Sequence, residues 1–149
     1  MTLSAGDKAP AFALLDQDGP KVRLSQFKGR KVLVYFYPKA DTPGCTTQAC
    51  GLRDVAGDVG DTVIVGISPD LPPKLEKFET KHGLGFPLLS DPDHEVAEKY
   101  GVWGEKSMYG KKYFGIIRSH FVIDEQGRLA DVQVKVSPTD SVEKALEML

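Results

Sequence analysis

Cysteines, long apolar runs and an excess of charge are all scarce in this sequence. Of its 149 residues only two are cysteine, and the net charge is -2. Two cysteines are too few for the disulfide framework of a small secreted domain. The near balance of charge gives no reason to expect nucleic acid or an anionic membrane as a partner. No apolar segment reaches about 18 residues, so the sequence predicts no membrane span.

The start of the sequence, MTLSAGDKAP, lacks the basic residues and apolar stretch that mark a secretory signal. We therefore expect a reducing, cytoplasmic setting, where a lasting structural disulfide would be unusual. The chain length, with 41% hydrophobic and 27% charged residues, is typical of one globular domain over residues 1–149. Such a domain can fold without a metal or a disulfide, and no cofactor is expected.

The sequence predicts an alternation of buried strands and helices. Its strands and short apolar runs, two pairs of them hairpins marked by turn residues, are expected at residues 12–15, 21–24, 32–37, 62–67, 88–89, 119–123 and 129–136. Its helices are expected at residues 46–59, 72–81, 95–100 and 138–149. The last of these has Asp140 or Ser141 near its N-cap. Residues 102–115, rich in aromatics and glycine, are predicted to form a long irregular loop.

This element order predicts an α/β fold with a mixed central sheet flanked by helices. The later hairpin adds antiparallel strands to the sheet. A strand that leads directly into a cysteine at a helix start, followed at the end of the chain by a hairpin and a helix, is the order of a thioredoxin-like fold.

The two cysteines, Cys45 and Cys50, lie close together in the stretch YFYPKADTPGCTTQAC. They could form a structural disulfide, contribute to a metal site, or react. On a regular helix their Cα atoms would be about 8.6 Å apart, whereas a disulfide needs about 4.4–6.8 Å. A bond between them would require local unwinding, which Gly51 makes easier. A metal site would need further ligands, and the three histidines are scattered singly.

The residues before Cys45 favour its thiolate form. The preceding Thr-Pro-Gly places Cys45 in the first turn of the predicted helix, where unpaired N–H groups and the helix dipole favour an anion. Cys50 has no such position and is expected to remain an ordinary thiol. The surroundings thus separate the pair into an attacking and a resolving cysteine.

A cation near Cys45 would stabilise the thiolate further. Arg118 opens the strand-like run RSHFVID and could provide this charge if that strand lies beside residues 32–37. Arg53 and Arg30 are alternatives, although each is more typical of a solvated surface charge.

The motif Pro38-x-x-x-Thr42-x-x-Cys45, within YPKADTPGCTTQAC, closely resembles the active-site signature of the peroxiredoxins. It is similar in particular to their Q-type, or bacterioferritin comigratory protein, subfamily. The resemblance covers nearly the whole chain, from GDKAPAF to GVWGEKSMYGKKYFGIIRSHFVID. It implies a thioredoxin-like fold with an N-terminal hairpin extension. It also implies an antioxidant thiol peroxidase that is a monomer, or at most a weak dimer.

The resemblance implies roles for five residues. The Cys45 thiolate would attack the O–O bond of hydrogen peroxide or an alkyl hydroperoxide and become a sulfenic acid. Thr42, the Cys45 N–H and Arg118 would bind the peroxide oxygens, and Pro38 would shield the pocket from water. Cys50 would then form an intramolecular disulfide with Cys45, which thioredoxin or a similar thiol reductant would reduce. Taken singly, Thr42 could only cap the helix, Pro38 only end the strand, and Arg118 only form a surface ion pair.

Two positions differ from the family pattern. Gln48 stands where peroxiredoxins commonly carry a Glu that orients arginines, so the arginine network could be looser. His120 stands where the subfamily often has Thr. It could lie beside the pocket and add pH dependence near neutrality, or it could pack as an ordinary strand residue.

Aromatic and apolar side chains are concentrated in residues 102–115. They could form an apolar collar that admits alkyl or lipid hydroperoxides, or they could pin the segment to the core; they are Trp103, Met108, Tyr109, Tyr113 and Phe114.

Two other functions would use the same cysteines. A thioredoxin-like disulfide reductase or isomerase is disfavoured, because Cys-x-x-Cys is absent. A redox sensor or chaperone-like binding module would share the oxidation of Cys45. Turnover of peroxide linked to thioredoxin would distinguish a peroxidase from such a module.

Overall fold

The computed structural model describes residues 3–56 and 62–148. Within this part of the chain the strands are β1 (Ala13–Leu15), β2 (Lys21–Arg23), β3 (Val32–Phe36), β4 (Val63–Ser68), β5 (Leu88–Ser90), β6 (Trp103–Met108), β7 (Lys111–Ile116), β8 (Ser119–Ile123) and β9 (Leu129–Val134). The helices are α1 (Pro43–Ala56), α2 (Pro72–His82), α3 (Glu95–Lys99) and α4 (Pro138–Met148). None of these helices has the length and apolar content to cross a membrane.

The main sheet has the strand order β2-β1-β5-β4-β3-β8-β9. Strands β3, β4 and β5 are parallel to one another, and β8 is antiparallel to β3. β3 lies between β4 and β8, and all of its residues are buried, as its continuous apolar sequence indicates. The predicted α/β fold with a mixed central sheet and flanking helices is confirmed.

Alternate residues of β3 and its extension face opposite sides of the sheet. Leu33, Tyr35 and Tyr37 pack into the apolar cluster formed with α1, α2 and α4, and this cluster also contains Cys45. The ring of Tyr35 lies over Gly66 of β4, where an added Cβ would come within 2.9 Å of the ring. The predicted reactive cysteine is therefore packed directly against the central strands.

The prediction of an irregular loop over residues 102–115 is wrong. The segment forms a separate antiparallel hairpin of β6 and β7. Tyr109 and Gly110 join the strands with φ angles of 52° and 79°, the left-handed values that a two-residue hairpin turn requires. Most of β7 is exposed, so its residues show no buried apolar alternation. Tyrosine is also an unusual residue in a left-handed conformation, which explains why the turn was not evident from the sequence.

The ends of two helices differ from the predictions. α1 begins at Pro43 rather than at residue 46, because proline suits the first position of a helix. Residues 57–59 of the predicted first helix and residue 149 of the last lie outside the described residues. Ser137 caps α4, since its Oγ accepts the N–H of Asp140 at 3.1 Å. The prediction of Asp140 or Ser141 near the N-cap is confirmed for Asp140, which lies in the first turn of α4, whereas Ser141 follows it as a buried residue of the helix.

Candidate active site

Cys45 lies in the first turn of α1, just beyond the carboxyl end of β3. Because α1 begins at Pro43, the N–H groups of this turn have no partner within the helix, and they favour an anion together with the helix dipole. Cys45 is only 1% exposed, and its sulfur is a free thiol. The position agrees with the prediction made from the preceding Thr-Pro-Gly.

Arg118 provides a cation at Cys45. It directly precedes β8, whose first residue, Ser119, pairs with Phe36 at the end of β3. This register brings Nη2 of Arg118 within 3.4 Å of Cys45 Sγ. Gly44 leaves room for the guanidinium, because a Cβ at that position would lie 3.2 Å from Nη2. The condition on which Arg118 was a candidate, that the RSHFVID strand lies beside β3, is met.

The alternative cations and a metal site receive no support from the geometry. Arg53 lies in the last turn of α1, where Nε contacts Asp54 Oδ1 at 3.1 Å and Nη1 donates to the carbonyl of His82. Arg30 precedes β3, at the opposite end of that strand from Cys45. Within residues 3–56 and 62–148, no group of three or more His, Cys, Asp and Glu side chains could hold a metal ion.

Thr42 and Pro38 lie in the loop that joins β3 to α1, and both are partly buried. The carbonyl of Thr42 accepts the N–H of Thr46 at 2.8 Å, which places Thr42 at the start of the helix. Its hydroxyl does not cap α1 but donates to the carbonyl of Lys39 at 2.9 Å. The lone pairs of the Thr42 oxygen therefore remain able to accept a hydrogen bond.

Cys50 is half-buried on the same helix and is also a free thiol. A regular helix places its Cα about 8.6 Å from that of Cys45, beyond the about 4.4–6.8 Å that a disulfide needs. Gly51 follows Cys50, and a Cβ there would lie 2.6 Å from Cγ2 of Val142 in α4. Gly51 thus weakens the helix interior, as the sequence indicated, and also lets α4 pack closely, which the sequence did not reveal.

Gln48 connects Arg118 to α4. Its Oε1 accepts a hydrogen bond from Arg118 Nη1 at 2.7 Å, and its Nε2 donates to Ser141 Oγ at 2.8 Å. Gln48 is fully buried, so water does not compete for these bonds. The neutral side chain holds the guanidinium, and the looser arginine network expected from the missing charge is not observed. From the sequence Ser141 was expected only near the N-cap of the last helix. Its contact with Gln48 was missed, because the two residues meet only through the packing of α4 on α1.

His120 is fully buried on β8, with Nδ1 2.8 Å from Ser141 Oγ. Burial lowers the pKa of His120 to about 4, and the carboxylate of Asp131, 3.8 Å from Nε2, opposes this effect only in part. His120 is therefore neutral near pH 7. The interpretation as a packed strand residue is confirmed, and the proposed pH dependence near neutrality is not supported.

Lys106 is a second cation that the sequence did not single out. Its Nζ donates to the carbonyl of Ile116 at 2.9 Å, two residues before Arg118. Burial and the positive charge of Arg118 lower the pKa of Lys106, while the charge of Cys45 acts in the opposite direction. The β6–β7 hairpin thus adds positive charge to the surroundings of Cys45. The only sequence signal for this residue is its place in the GVWGEK block.

The aromatic residues of the hairpin have mixed environments. Trp103 packs against the core and stacks on His94, with ring centroids 3.8 Å apart. Tyr109, Tyr113 and Phe114 are 97%, 41% and 65% exposed. Packing against the core is therefore confirmed for Trp103 and wrong for these three residues. The side chain of Met108 lies outside what the structure describes.

Comparison with known proteins agrees with this arrangement. The model of the AhpC/TSA family matches residues 5–132 of the chain. Peroxiredoxin Bcp of Escherichia coli is 56% identical over 132 residues, which cover 87% of this chain and 85% of that protein. Peroxiredoxin Bcp of Bacillus subtilis is 47% identical over 151 residues, which cover 100% of this chain and 96% of that protein.

Solved structures show the same fold. A cysteine-to-serine mutant of PrxQ from Xylella fastidiosa superimposes with a TM-score of 0.92 at 27% identity, covering 99% of this chain and 96% of that one. The bacterioferritin comigratory protein of Xanthomonas campestris gives a TM-score of 0.85 at 32% identity, covering 97% and 96%. That protein was captured in trapped intermediate and ligand complexes that concern its alkyl peroxide reduction.

Proposed function

Because this chain belongs to the AhpC/TSA family and is a peroxiredoxin, a thiol-dependent peroxidase, we propose that Cys45 is its peroxidatic cysteine and Cys50 its resolving cysteine. The observation that carries this assignment is the 3.4 Å contact between Arg118 Nη2 and Cys45 Sγ at the start of α1. A helix terminus and a guanidinium together favour a sulfur anion at this position. Cys50, in the interior of the same helix, has only the second role open to it.

In the first step, the Cys45 sulfur attacks one oxygen of the hydroperoxide ROOH. The O–O bond breaks, and the attacked oxygen stays on Cys45 as a sulfenic acid. The other oxygen leaves with the electron pair of that bond and takes up one proton, equivalent to the proton that the Cys45 thiol lost on ionising, to give ROH, or water when R is hydrogen. Thr42 Oγ1, whose own O–H donates a hydrogen bond to the carbonyl of Lys39, accepts a hydrogen bond from the hydroperoxide O–H. Arg118 and the Cys45 N–H donate to the oxygens and stabilise the charge on the leaving oxygen. Pro38, in the adjoining loop, limits the access of water.

In the second step, Cys50 Sγ attacks the sulfenic sulfur of Cys45. One molecule of water is released and an intramolecular disulfide forms. The turn of α1 that separates the two cysteines must open first, because the regular helix holds them too far apart. The closed helix therefore keeps the peroxide site assembled for the first step, and the opened helix allows the disulfide of the second step to form.

In the third step, a dithiol reductant returns the disulfide to two thiols by thiol–disulfide exchange and is itself oxidised. We assign this role to thioredoxin or a similar thiol protein. A cycle completed by two cysteines of one chain needs no second subunit, so we propose a monomer, or at most a weak dimer, that folds as one domain over residues 1–149. Its proposed role is antioxidant defence in the cytoplasm.

Hydrogen peroxide and alkyl hydroperoxides are the proposed substrates. The alkyl peroxide reduction of the Xanthomonas campestris relative supports the second class. The exposed rings of Tyr113 and Phe114 also offer apolar surface on the hairpin that carries Lys106. Comparable kcat/KM values for hydrogen peroxide and for a bulky alkyl hydroperoxide would remove the support for an apolar preference.

The test couples peroxide consumption to the oxidation of thioredoxin. The wild-type protein is expected to turn over continuously, and Cys45→Ser is expected to lose the reaction. Cys50→Ser is expected to consume one equivalent of peroxide as fast as the wild type and then to stop.

Two outcomes would contradict the assignment. Full thioredoxin-coupled turnover in Cys50→Ser would exclude its resolving role. A rapid single oxidation of the wild type that thioredoxin does not reverse would indicate a redox sensor instead.

A further inference from the structure

A chain of buried hydrogen bonds joins the proposed peroxide site to α4. It runs from Arg118 to Gln48 at 2.7 Å, from Gln48 to Ser141 at 2.8 Å, and from Ser141 to His120 at 2.8 Å. Gln48, Ser141 and His120 are all fully buried. Bonds between buried polar groups are costly to leave unmade, so each member restricts the orientation of the next.

One assignment of donors and acceptors connects all four residues of this chain. The amide oxygen of Gln48 is occupied by Arg118, so its NH₂ group must point to Ser141. The Ser141 oxygen accepts from Gln48 and can donate its own proton to Nδ1 of a neutral His120. Asp131 Oδ2, 3.8 Å from Nε2, favours the proton on that nitrogen. His120 thus fixes the hydroxyl of Ser141, which fixes the amide of Gln48.

The surroundings of His120 keep it in this neutral state. Asp131 on β9 and Lys144 on α4 are the charged groups that act on its ring, and burial is the dominant effect. Tyr35, its cross-strand partner on β3, is buried, and burial raises the pKa of its hydroxyl, which stays uncharged. His120 is therefore an uncharged partner of Ser141 at neutral pH, with Nδ1 able to accept the Ser141 hydroxyl when the ring proton is on Nε2.

Gln48 also occupies a special place on α1, because it lies between Cys45 and Cys50. The turn that contains it must open before the two sulfurs can bond. Opening moves Gln48 away from Arg118 and Ser141 together. The close packing of Val142 against Gly51 is a second contact of α4 with the same part of α1.

We propose that Ser141 and His120 are positioning residues that hold Gln48, and through it keep Arg118 at Cys45 and α1 closed until the sulfenic acid has formed. The inference rests on the proposed roles of the two cysteines. It adds that α4 and β8 set the time for which Cys45 remains a sulfenic acid before Cys50 reaches it. The same interval decides how much of the protein is oxidised further, to the sulfinic acid, by a second peroxide molecule.

The first experiment compares Ser141→Ala with the wild type in rapid-mixing measurements that resolve the two steps. Disulfide formation is expected to become about fivefold faster, the factor that corresponds to the loss of one net hydrogen bond. The rate constant for oxidation by peroxide is expected to fall severalfold, because Arg118 is less well oriented. The fraction of sulfinic acid formed at high peroxide should also fall. An unchanged rate of disulfide formation would overturn the proposal.

The matched control is Ser137→Ala. This change removes the N-cap of α4 and weakens the helix, but it leaves Ser141 and Gln48 in contact. Both steps are expected to keep their wild-type rates. If Ser137→Ala accelerated disulfide formation as much as Ser141→Ala does, general weakening of α4 would explain the effect and the proposal would be wrong.

A pair of variants at His120 supplies a rescue test. His120→Leu removes the acceptor of Ser141 and should behave like Ser141→Ala. His120→Asn keeps an oxygen acceptor near the position of Nδ1 and should restore most of the wild-type rates. Equal behaviour of the leucine and asparagine variants would contradict the positioning role, and this pair also serves if Ser141→Ala folds poorly.

Hydrogen exchange of the reduced protein separates this proposal from the proposed function. Amides of residues 46–50 should exchange about fivefold faster in Ser141→Ala than in Ser137→Ala, without any peroxide present. Faster exchange in Ser141→Ala, in a protein whose Cys45 forms no sulfenic acid with peroxide, would support the positioning role of Ser141 and overturn the cysteine assignment. Equal exchange in the two variants would overturn the positioning role alone.

Discussion

The two cysteines of α1 have the same side chain but lie in different surroundings. Cys45 lies in the first turn, is 1% exposed and contacts Arg118. Cys50 lies in the helix interior, is half-buried, and is followed by a glycine. The first environment stabilises a sulfur anion, and the second makes the helix easier to open. Position on the helix, rather than residue type, thus separates the proposed attacking thiol from the proposed resolving one.

The largest expected effect comes from removing the guanidinium that distinguishes Cys45. Arg118→Lys keeps the charge, but a single ammonium group cannot reproduce the two arms that contact Gln48 and Cys45. The rate constant for oxidation by peroxide should fall about 10²–10³-fold, the usual effect of losing a donor to a developing oxyanion. Stopped-flow oxidation of the reduced protein measures this change.

The matched control for that prediction is Arg53→Lys. Arg53 lies on the same helix, but its contacts are Asp54 and the carbonyl of His82. Its replacement should change the rate constant less than about twofold. A similar loss in both variants would mean that general positive charge, not the geometry at Cys45, produces the difference between the cysteines.

The second prediction concerns acid, which acts on the chain of hydrogen bonds that joins Arg118 to His120. The pKa of His120 is lowered from 6.5 to about 4 in the folded protein. Between these values the unfolded chain binds a proton that the folded protein does not. The contribution of His120 to the free energy of unfolding is therefore complete above about pH 6.5. As the pH falls toward 4, the free energy of unfolding decreases by up to about 3 kcal/mol.

Urea unfolding at pH 7 and pH 4.5 checks this effect. His120→Asn, which does not titrate, should lose less stability over this interval than the wild type. His94→Asn, at a partly exposed histidine stacked on Trp103, is the control and should lose as much as the wild type. Equal losses in the wild type and His120→Asn would contradict the assignment.

The third prediction tests why glycine follows Cys50. In Gly51→Ala, alanine should gain about 1 kcal/mol of helix propensity, but its Cβ would collide with Val142 at 2.6 Å. Overpacking of this kind costs about 1–3 kcal/mol, so the variant should be less stable by about 1 kcal/mol. The double variant Gly51→Ala with Val142→Ala should remove the collision. Its unfolding midpoint should therefore be higher than that of Gly51→Ala alone. Increased stability in Gly51→Ala alone would contradict the close packing of α4.

The smallest effect is expected at the outer side of the loop before α1. Asp41, whose pKa is lowered mainly by its hydrogen bond to Lys81, forms an ion pair of 3.1 Å with that lysine. Both side chains are largely exposed, so Lys81→Ala should lower the melting temperature by less than about 2 °C, and salt should reduce the difference. A larger, salt-insensitive effect would show that this contact matters as much as the buried chain through Gln48.

The fold and the placement of Cys45 at a helix start were largely predictable, because they depend on local patterns. The apolar run of β3 predicts a central strand, and Thr-Pro-Gly before Cys45 predicts a helix start. Arg118 could be named as a candidate cation on the condition that its strand lies beside β3, which the structure shows. Each of these inferences needs only a short stretch of sequence and one strand pairing.

The features that could not be predicted depend on contacts between distant segments. Ser141 meets Gln48 across 93 positions, and its side chain looks like that of any serine near a helix start. The β6–β7 hairpin exposes most of its residues and turns at Tyr109, so neither apolar alternation nor a usual turn residue marks it. The hydrogen bond from Arg118 to the uncharged Gln48 likewise depends on a distant contact, because the second partner of Gln48 is Ser141.

The location of the oxidised sulfur tests the central claim most directly. Cys50→Ser treated with one equivalent of hydrogen peroxide and then with a sulfenic-acid reagent should carry the adduct on Cys45. In the peroxide-treated wild type, the tryptic peptide of residues 40–53 should be about 2 Da lighter, the mass of the two hydrogens lost to an internal disulfide. An unmodified Cys45 in the variant, or a disulfide that links two copies of the peptide in the wild type, would contradict the account.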